Sequence, residues 1–109
     1  MGKNKLRRET LHVAPFDYEV TFDPTLGEVT GNAGNTSSTL GVILIDSSQS
    51  ADMQADTLLH EGLHAGWNQT LLKRSIDPDK EEDIIWQMTP RILAMLRDNP
   101  WFTAVILGK

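Results

Sequence analysis

A chain of 109 residues is the size of one ordinary domain, and its 39% hydrophobic and 23% charged residues are typical of a soluble globular protein. The net charge of −5 argues against sequence-independent binding to nucleic acid, which depends on lysine and arginine neutralising phosphates. The absence of cysteine excludes disulfides and thiolate metal ligands, so any metal must be held by histidine and carboxylate groups.

The first ten residues carry the main basic cluster of the sequence, and we expect a flexible basic arm at 1–10 followed by a single domain at 11–109. Polar and charged residues follow this cluster, where a secretory signal would have an apolar core. No stretch approaches the roughly 18 uninterrupted apolar residues of a membrane helix. We therefore expect a cytoplasmic protein that makes no contact with a membrane.

Strand patterns come first along the chain. From about Leu11 to Phe22 the sequence is rich in valine, phenylalanine, tyrosine and threonine, and Phe16, Tyr18, Val20 and Phe22 fall at a period of two, which is the spacing of a strand with one buried face. Asp23 to Gly27 is typical of a turn, because proline presets its own φ angle and glycine accepts a positive one. A short second strand could follow near Glu28 to Thr30.

The middle of the chain combines a polar segment with an apolar one. Gly31 to Ser38 is too polar and too rich in glycine for a packed element, so we predict a loop there. Thr39 to Asp46 is continuously apolar over Val42 to Ile45, as in a strand that is covered on both faces. Because strands precede helices, we predict an α+β fold in which a small β-sheet packs on two main helices.

Capping residues mark the two main helices. Ser47 to Ser50 offers several N-caps for a first helix, which should end near Gly66 or Asn68. Asp77-Pro78 predicts the start of a second helix, with aspartate as cap and proline at the first helical position. We expect a kink at Pro90 within this helix, and a short helical or extended tail after it ends.

The first predicted helix contains the sequence His60-Glu61-Gly62-Leu63-His64. Residues four apart lie on one face of a helix, so both imidazoles can reach a single metal ion, and nitrogen ligands suit zinc. Glu61 lies beside such a metal without joining it as a ligand, where it can take a proton from a water molecule that the metal activates. A single histidine on an apolar helix is more often a hydrogen-bonded core residue, but packing does not explain the whole pattern. The sequence therefore predicts a site for one Zn²⁺ per chain.

A carboxylate is the expected third ligand, since a catalytic zinc normally has three protein ligands and one open position. The remaining histidine, His12, precedes the motif on the first predicted strand. Glu81, Glu82 and Asp83 lie near the start of the second helix, which can pack antiparallel to the first. Helical geometry does not decide among these three residues, and favourable charge at a helix N-terminus explains at least one of them.

Three segments resemble the small HExxH metallopeptidase-like proteins of bacteriophages and prophages, which are similar in turn to the ImmA/IrrE peptidases and other gluzincins. These segments are Asp56 to Ala65, Glu81 to Ile85 and Leu96 to Pro100. The resemblance implies a minimal zincin-like fold and hydrolysis of a peptide or protein substrate, in the host cytoplasm if the protein is phage-encoded.

The resemblance also implies a role for each site residue. His60 and His64 would be zinc ligands, Glu61 the general base, and Glu82 the third ligand.

We expect an extended peptide to dock on the strand Val42 to Ile45, if that strand lies at the edge of the sheet. Two alternatives are a zinc-stabilised regulatory or protein-binding module without peptidase activity, and a structural protein without metal. We expect a monomer or a weak oligomer.

Overall fold

One mixed sheet and a set of helices make up the fold of residues 6–109, which are the residues that the computed structural model describes. The strands are β1 (Arg7–Val13), β2 (Phe16–Asp23), β3 (Gly34–Ser37) and β4 (Val42–Asp46). The helices are α1 (Leu26–Thr30), α2 (Ala51–Trp67), α3 (Leu72–Ser75), α4 (Pro78–Asp98) and α5 (Pro100–Leu107). The α+β class predicted from the sequence is confirmed.

The apolar alternation near the N-terminus forms a hairpin rather than one strand. Strands β1 and β2 pair antiparallel across a turn at Ala14-Pro15, so the prediction of one strand over Leu11 to Phe22 is wrong in its extent. Proline cannot donate to a strand ladder, which accounts for the break at this position. The predicted period of two is confirmed in β2 for Tyr18, Val20 and Phe22, which are buried, whereas Phe16 at the start of the strand is 58% exposed.

The first strand begins inside the segment that we expected to be a basic arm. Arg7 pairs with Phe22 in the register of the sheet, and its guanidinium carbon lies 4.8 Å from the centre of the Phe22 ring. Arginine covers apolar surface with its stem and binds the face of an aromatic ring, so it can occupy a strand. Arg7 to Thr10 therefore belong to the sheet, and residues 1–5 of the expected arm lie outside the described residues.

Two local predictions in the middle of the chain are wrong. Glu28 to Thr30 belongs to helix α1 rather than to a strand, and Gly31 caps that helix with a φ of 74°. The segment expected to be a loop contains strand β3, which pairs antiparallel with β4. The β3 strand is short and polar, so its composition does not indicate a strand. Its extended structure comes from pairing with the apolar strand β4.

The order of strands is β1-β2-β4-β3, with β2 and β4 parallel and the other pairs antiparallel. Ile43 and Ile45 lie on one face of β4 and are fully buried, whereas Val42 and Leu44 on the other face are half-buried, so the expected covering of both faces is met only in part. The condition for peptide docking on Val42 to Ile45 is therefore not met, because β4 lies inside the sheet. The edge strands of the described sheet are β1 and β3.

The caps predicted for the two main helices are confirmed. The Ser50 side chain accepts a hydrogen bond from the Met53 backbone N–H at 3.2 Å, and Asp77 accepts one from Lys80 at 2.9 Å. Helix α4 continues through Pro90 and ends at Asp98. Within residues 6–109 no helix is long and apolar enough to cross a membrane.

Helix α2 lies between the sheet and helix α4, because it contacts β1, β3 and β4 on one side and α4 on the other. The two helices run antiparallel. Asp52, in the first turn of α2, pairs with Arg97 at the end of α4 at 3.3 Å. His64, near the end of α2, contacts Glu81 in the first turn of α4 at 2.7 Å. This arrangement brings the histidine motif and the acidic start of α4 to the same end of the helix pair.

Candidate metal centre

The two histidines of the motif direct their Nε2 atoms to one point. His60 and His64 lie one turn apart on α2, and their Nε2 atoms are 3.2 Å apart. Only 11% of the His60 side chain and 15% of the His64 side chain are exposed to solvent. The edge of the Trp86 ring packs against His60, with 5.9 Å between ring centres. The helical spacing therefore brings the two imidazoles together, as the sequence predicts.

Glu82 of α4 completes the cluster from the opposite helix. Its Oε1 lies 2.8 Å from His60 Nε2, and its Oε2 lies 2.9 Å from His64 Nε2. One ligand atom from each of His60, His64 and Glu82 falls within 4.8 Å of the others, so this group could hold a metal ion. The Glu82 side chain is 55% exposed, which gives the cluster a path to solvent.

The dimensions and chemistry of the cluster fit zinc. Ligand atoms on a tetrahedral zinc lie roughly 2.0–2.1 Å from the metal and hence roughly 3.4 Å from one another. The two Nε2 atoms are 3.2 Å apart, close to that separation. Glu82 contacts one with Oε1 at 2.8 Å and the other with Oε2 at 2.9 Å, so binding a metal would require its carboxylate to move away from both nitrogens by roughly half an ångström. Two imidazole nitrogens and one carboxylate also form the donor set of several catalytic zinc sites.

Glu61 faces the same cleft without joining the cluster. It is 8% exposed, and its Oε1 accepts a hydrogen bond from the Thr36 hydroxyl at 2.6 Å. Glu61 lines a cavity of about 230 Å³ together with His64, Glu81 and Glu82. The arrangement keeps a carboxylate beside the proposed ligands and holds one of its oxygens in place.

Thr36 is a functional candidate that the sequence analysis missed, because its segment was expected to be a loop. It lies on β3, and the space for β3 beside α2 depends on Gly34. A Cβ atom at Gly34 would lie 2.6 Å from Thr57 Cγ2 and 3.0 Å from Glu61 Cγ, both closer than ordinary contact. The glycine that favoured a loop therefore lets a strand approach the motif helix closely.

The three acidic residues of the expected third-ligand region have different surroundings. Glu82 lies in the cluster, whereas Glu81 Oε2 lies 2.7 Å from the other ring nitrogen of His64, Nδ1. The Glu81 side chain is 13% exposed, and Asp83 is exposed. Both glutamates therefore contact the same histidine, one at each ring nitrogen.

His12 does not belong to the site. It lies on β1, where its Nδ1 is 2.7 Å from the Asp17 carboxylate of the same hairpin, and both side chains are about two-thirds exposed at 67% and 68%. Its position before the motif, on the first strand, agrees with its absence from the expected ligands. Its contact with Asp17 is a surface pair of the hairpin.

Comparison with known proteins gives no family for this chain. It matches no protein-family model, no curated protein and no solved structure. The resemblance to phage HExxH proteins and to ImmA/IrrE peptidases therefore stays a prediction.

Proposed function

We propose that this chain is a zinc-dependent metallopeptidase in which His60, His64 and Glu82 bind the zinc and Glu61 is the general base. One observation carries the proposal: two imidazole nitrogens and a carboxylate converge beside a second, buried carboxylate that faces the same cleft. Packing needs neither the convergence nor the second carboxylate. Hydrolysis that uses a metal and a base needs both.

Zinc fits the cluster because all its donors are nitrogen or carboxylate oxygen and because the protein contributes three of them. When bound, zinc would supply Lewis acidity, which polarises a carbonyl group and makes water more acidic. The exposed side of Glu82 is where we expect substrate and water to enter. The site would then have the open position that distinguishes catalytic from structural zinc.

The role of Glu61 as base follows from how its carboxylate is held. The hydrogen bond from Thr36 engages Oε1, so Oε2 is the oxygen that we expect to take a proton from water. The same carboxylic acid can then give the proton to the nitrogen of the leaving amine. A carboxylate fixed at one oxygen keeps the other at a constant position, which favours repeated proton transfer.

The edge strand β3 offers a docking surface for a peptide main chain. The Asp46 backbone N–H donates to the Ala33 carbonyl at 2.8 Å, which fixes the hydrogen-bonded pairs of the β3–β4 ladder. These pairs alternate, so the backbone groups of Gly34 and Thr36 point away from β4. An extended peptide could add to the sheet at these two residues. It would then lie beside Glu61, which Thr36 contacts.

The size of the cleft favours flexible segments as substrates. The cavity at the site is about 230 Å³, below the roughly 300–1,000 Å³ of typical small-molecule pockets. Pairing with β3 would therefore supply much of the affinity, and such pairing needs a peptide that can extend. We propose unfolded or loosely folded protein segments as the substrate class.

The second candidate function is a zinc-stabilised regulatory or binding module without peptidase activity. One observation favours it: the cluster joins α2 to α4, so a bound zinc would cross-link the two longest helices. A module of this kind needs the ligands His60, His64 and Glu82. It does not need the carboxylate of Glu61.

Cleavage of unfolded protein tests the proposal and separates it from this alternative. The zinc-loaded protein would be incubated with casein and with a mixed-sequence peptide library, and cleavage would be followed by mass spectrometry. The proposal predicts products with wild type, none with Glu61→Gln, and equal zinc content in both. Zinc binding without cleavage of either substrate would favour the module. Equal cleavage by wild type and Glu61→Gln would contradict Glu61 as the base.

A further inference from the structure

Glu81 makes a contact that zinc ligation by His60, His64 and Glu82 does not itself require. Its Oε2 lies 2.7 Å from Nδ1 of His64, and its side chain is only 13% exposed. Nδ1 is the nitrogen on the far side of the His64 ring from the cluster. The other nitrogen, Nε2, faces His60 at 3.2 Å and Glu82 at 2.9 Å.

Carboxylates contact both ring nitrogens of His64, Glu81 at Nδ1 and Glu82 at Nε2. A zinc ion at the cluster would take the lone pair of Nε2, so the hydrogen of the neutral imidazole would be on Nδ1. Glu81 is then the acceptor for that hydrogen. The Glu81 contact therefore favours the form of His64 that binds zinc through Nε2.

We propose that Glu81 is a positioning residue that accepts the Nδ1 hydrogen of zinc-bound His64, holds the orientation of its ring and thereby strengthens zinc binding. The inference rests on the proposed zinc site but does not require peptidase activity. Carboxylates that accept a hydrogen bond from a metal-binding histidine raise the basicity of the ligand and hold its ring. Glu81 and Glu82 then act together: one binds the metal, and the other orients the histidine beside it.

Burial separates this role from the ordinary one of an acidic residue at a helix start. Charge that favours the helix dipole acts from an exposed position, as at Asp79 in the same first turn. Glu81 is instead packed against α2, where a carboxylate needs a partner to offset the loss of hydration. Successive helical residues are about 100° apart, which lets Glu81 and Glu82 reach different sides of one imidazole.

The test compares zinc affinities at one fixed neutral pH, measured by competition with a chromophoric chelator. Glu81→Met removes the acceptor at similar length, Glu81→Gln keeps an acceptor without the charge, and Asp83→Asn removes the same charge from an exposed position. The inference predicts that Glu81→Met weakens zinc binding about 10–100-fold and that Glu81→Gln weakens it less. Asp83→Asn should bind zinc as wild type does.

Nitrogen-15 NMR of the histidine rings in the zinc-loaded proteins gives a second reading. The inference predicts slow exchange of the His64 Nδ1 hydrogen with solvent in wild type and faster exchange in Glu81→Met, which lacks the acceptor. If Glu81→Met does not fold, as judged by circular dichroism, Glu81→Gln must bind zinc more weakly than Asp83→Asn.

Three results would overturn the inference. The first is zinc affinity in the folded Glu81→Met protein equal to that of wild type. The second is equal exchange of the His64 Nδ1 hydrogen in that protein and in wild type. The third is a loss as complete as in Glu82→Ala, which would make Glu81 a ligand and change the proposed ligand set. If wild type itself bound no zinc, the proposed site would fail together with the inference, whereas the first two results would leave the site intact.

Discussion

The Thr36 hydroxyl donates a hydrogen bond to Glu61 Oε1 at 2.6 Å and joins edge strand β3 to the motif helix α2. Glu61 is 8% exposed, so its carboxylate loses most of its hydration in the fold. A hydroxyl donor offsets part of that loss. In the proposed enzyme, the strand that would bind the peptide also holds the side chain that would act as the base.

Replacing Thr36 by valine tests this contact. Thr36→Val keeps the shape but removes the donor, and a buried carboxylate without its partner costs about 1–3 kcal/mol. We expect the free energy of unfolding in urea to fall by about this amount, while zinc content stays unchanged. Thr36→Ser keeps the hydroxyl and serves as the control, with stability close to wild type. Equal stability of the valine and serine variants would contradict a stabilising role for the hydrogen bond.

Adding a methyl group at Gly34 should separate β3 from α2. The added Cβ would lie 2.6 Å from Thr57 Cγ2, so either the strand or the helix must move. We expect Gly34→Ala to lower the free energy of unfolding by about 1–3 kcal/mol, as in other overpacked cores.

Gly66→Ala is the matched control for Gly34→Ala, because the Cβ added at Gly66 meets nothing within 4 Å. This position is helical, so alanine should keep or raise stability by up to about 1 kcal/mol. Both variants would be compared by urea unfolding. Equal effects of the two substitutions would show that β3 does not approach α2 as closely as described.

Glu82 should affect zinc affinity more than any other residue of α4. Its two oxygens lie 2.8 and 2.9 Å from the ligand nitrogens of His60 and His64. We expect Glu82→Ala to weaken zinc binding by more than the roughly 10–100-fold typical of residues that only orient a ligand. Asp79→Asn, an exposed position in the same helix, should leave the affinity unchanged. Wild-type affinity in Glu82→Ala would exclude it as the third ligand.

Zinc should stabilise the fold, because its proposed ligands come from both α2 and α4. A ligand that binds only the native state at 100 times its Kd adds about 2.7 kcal/mol. In a domain of this size each kcal/mol raises Tm by roughly 4–8 °C. We expect thermal unfolding to shift upward with zinc and back with a chelator in wild type. In His60→Ala the same additions should have no effect, and an equal shift there would place the zinc elsewhere.

The starts of the two main helices and the two proposed histidine ligands could be predicted from residues that are close together in the sequence. Ser50 and Asp77 cap their helices through bonds to residues only three positions away, so the sequence around each is sufficient. The approach of His60 to His64 is also local, since one helical turn separates them. For these reasons the motif helix and the convergence of its two histidines, the proposed nitrogen ligands, could be predicted before the structure.

Strand β3 and the contacts of the acidic residues depend on distant parts of the chain. The strand forms by pairing with β4 and by the close approach of Gly34 to α2, and neither can be read from a short polar segment. The roles of Glu81 and Glu82 depend on how α4 is rotated against α2, which helical periodicity alone could not determine. Thr36 was missed because its strand could not be predicted. The proposed role of Glu81 was missed because the rotation of α4 against α2 could not be predicted.

Elemental analysis of the purified protein tests the central claim most directly. It would be run beside His60→Ala, with circular dichroism to show that the variant is folded. The proposed site predicts about one zinc per chain in wild type and its loss in the variant. No zinc in wild type after incubation with zinc at neutral pH, or equal zinc in both proteins, would contradict it.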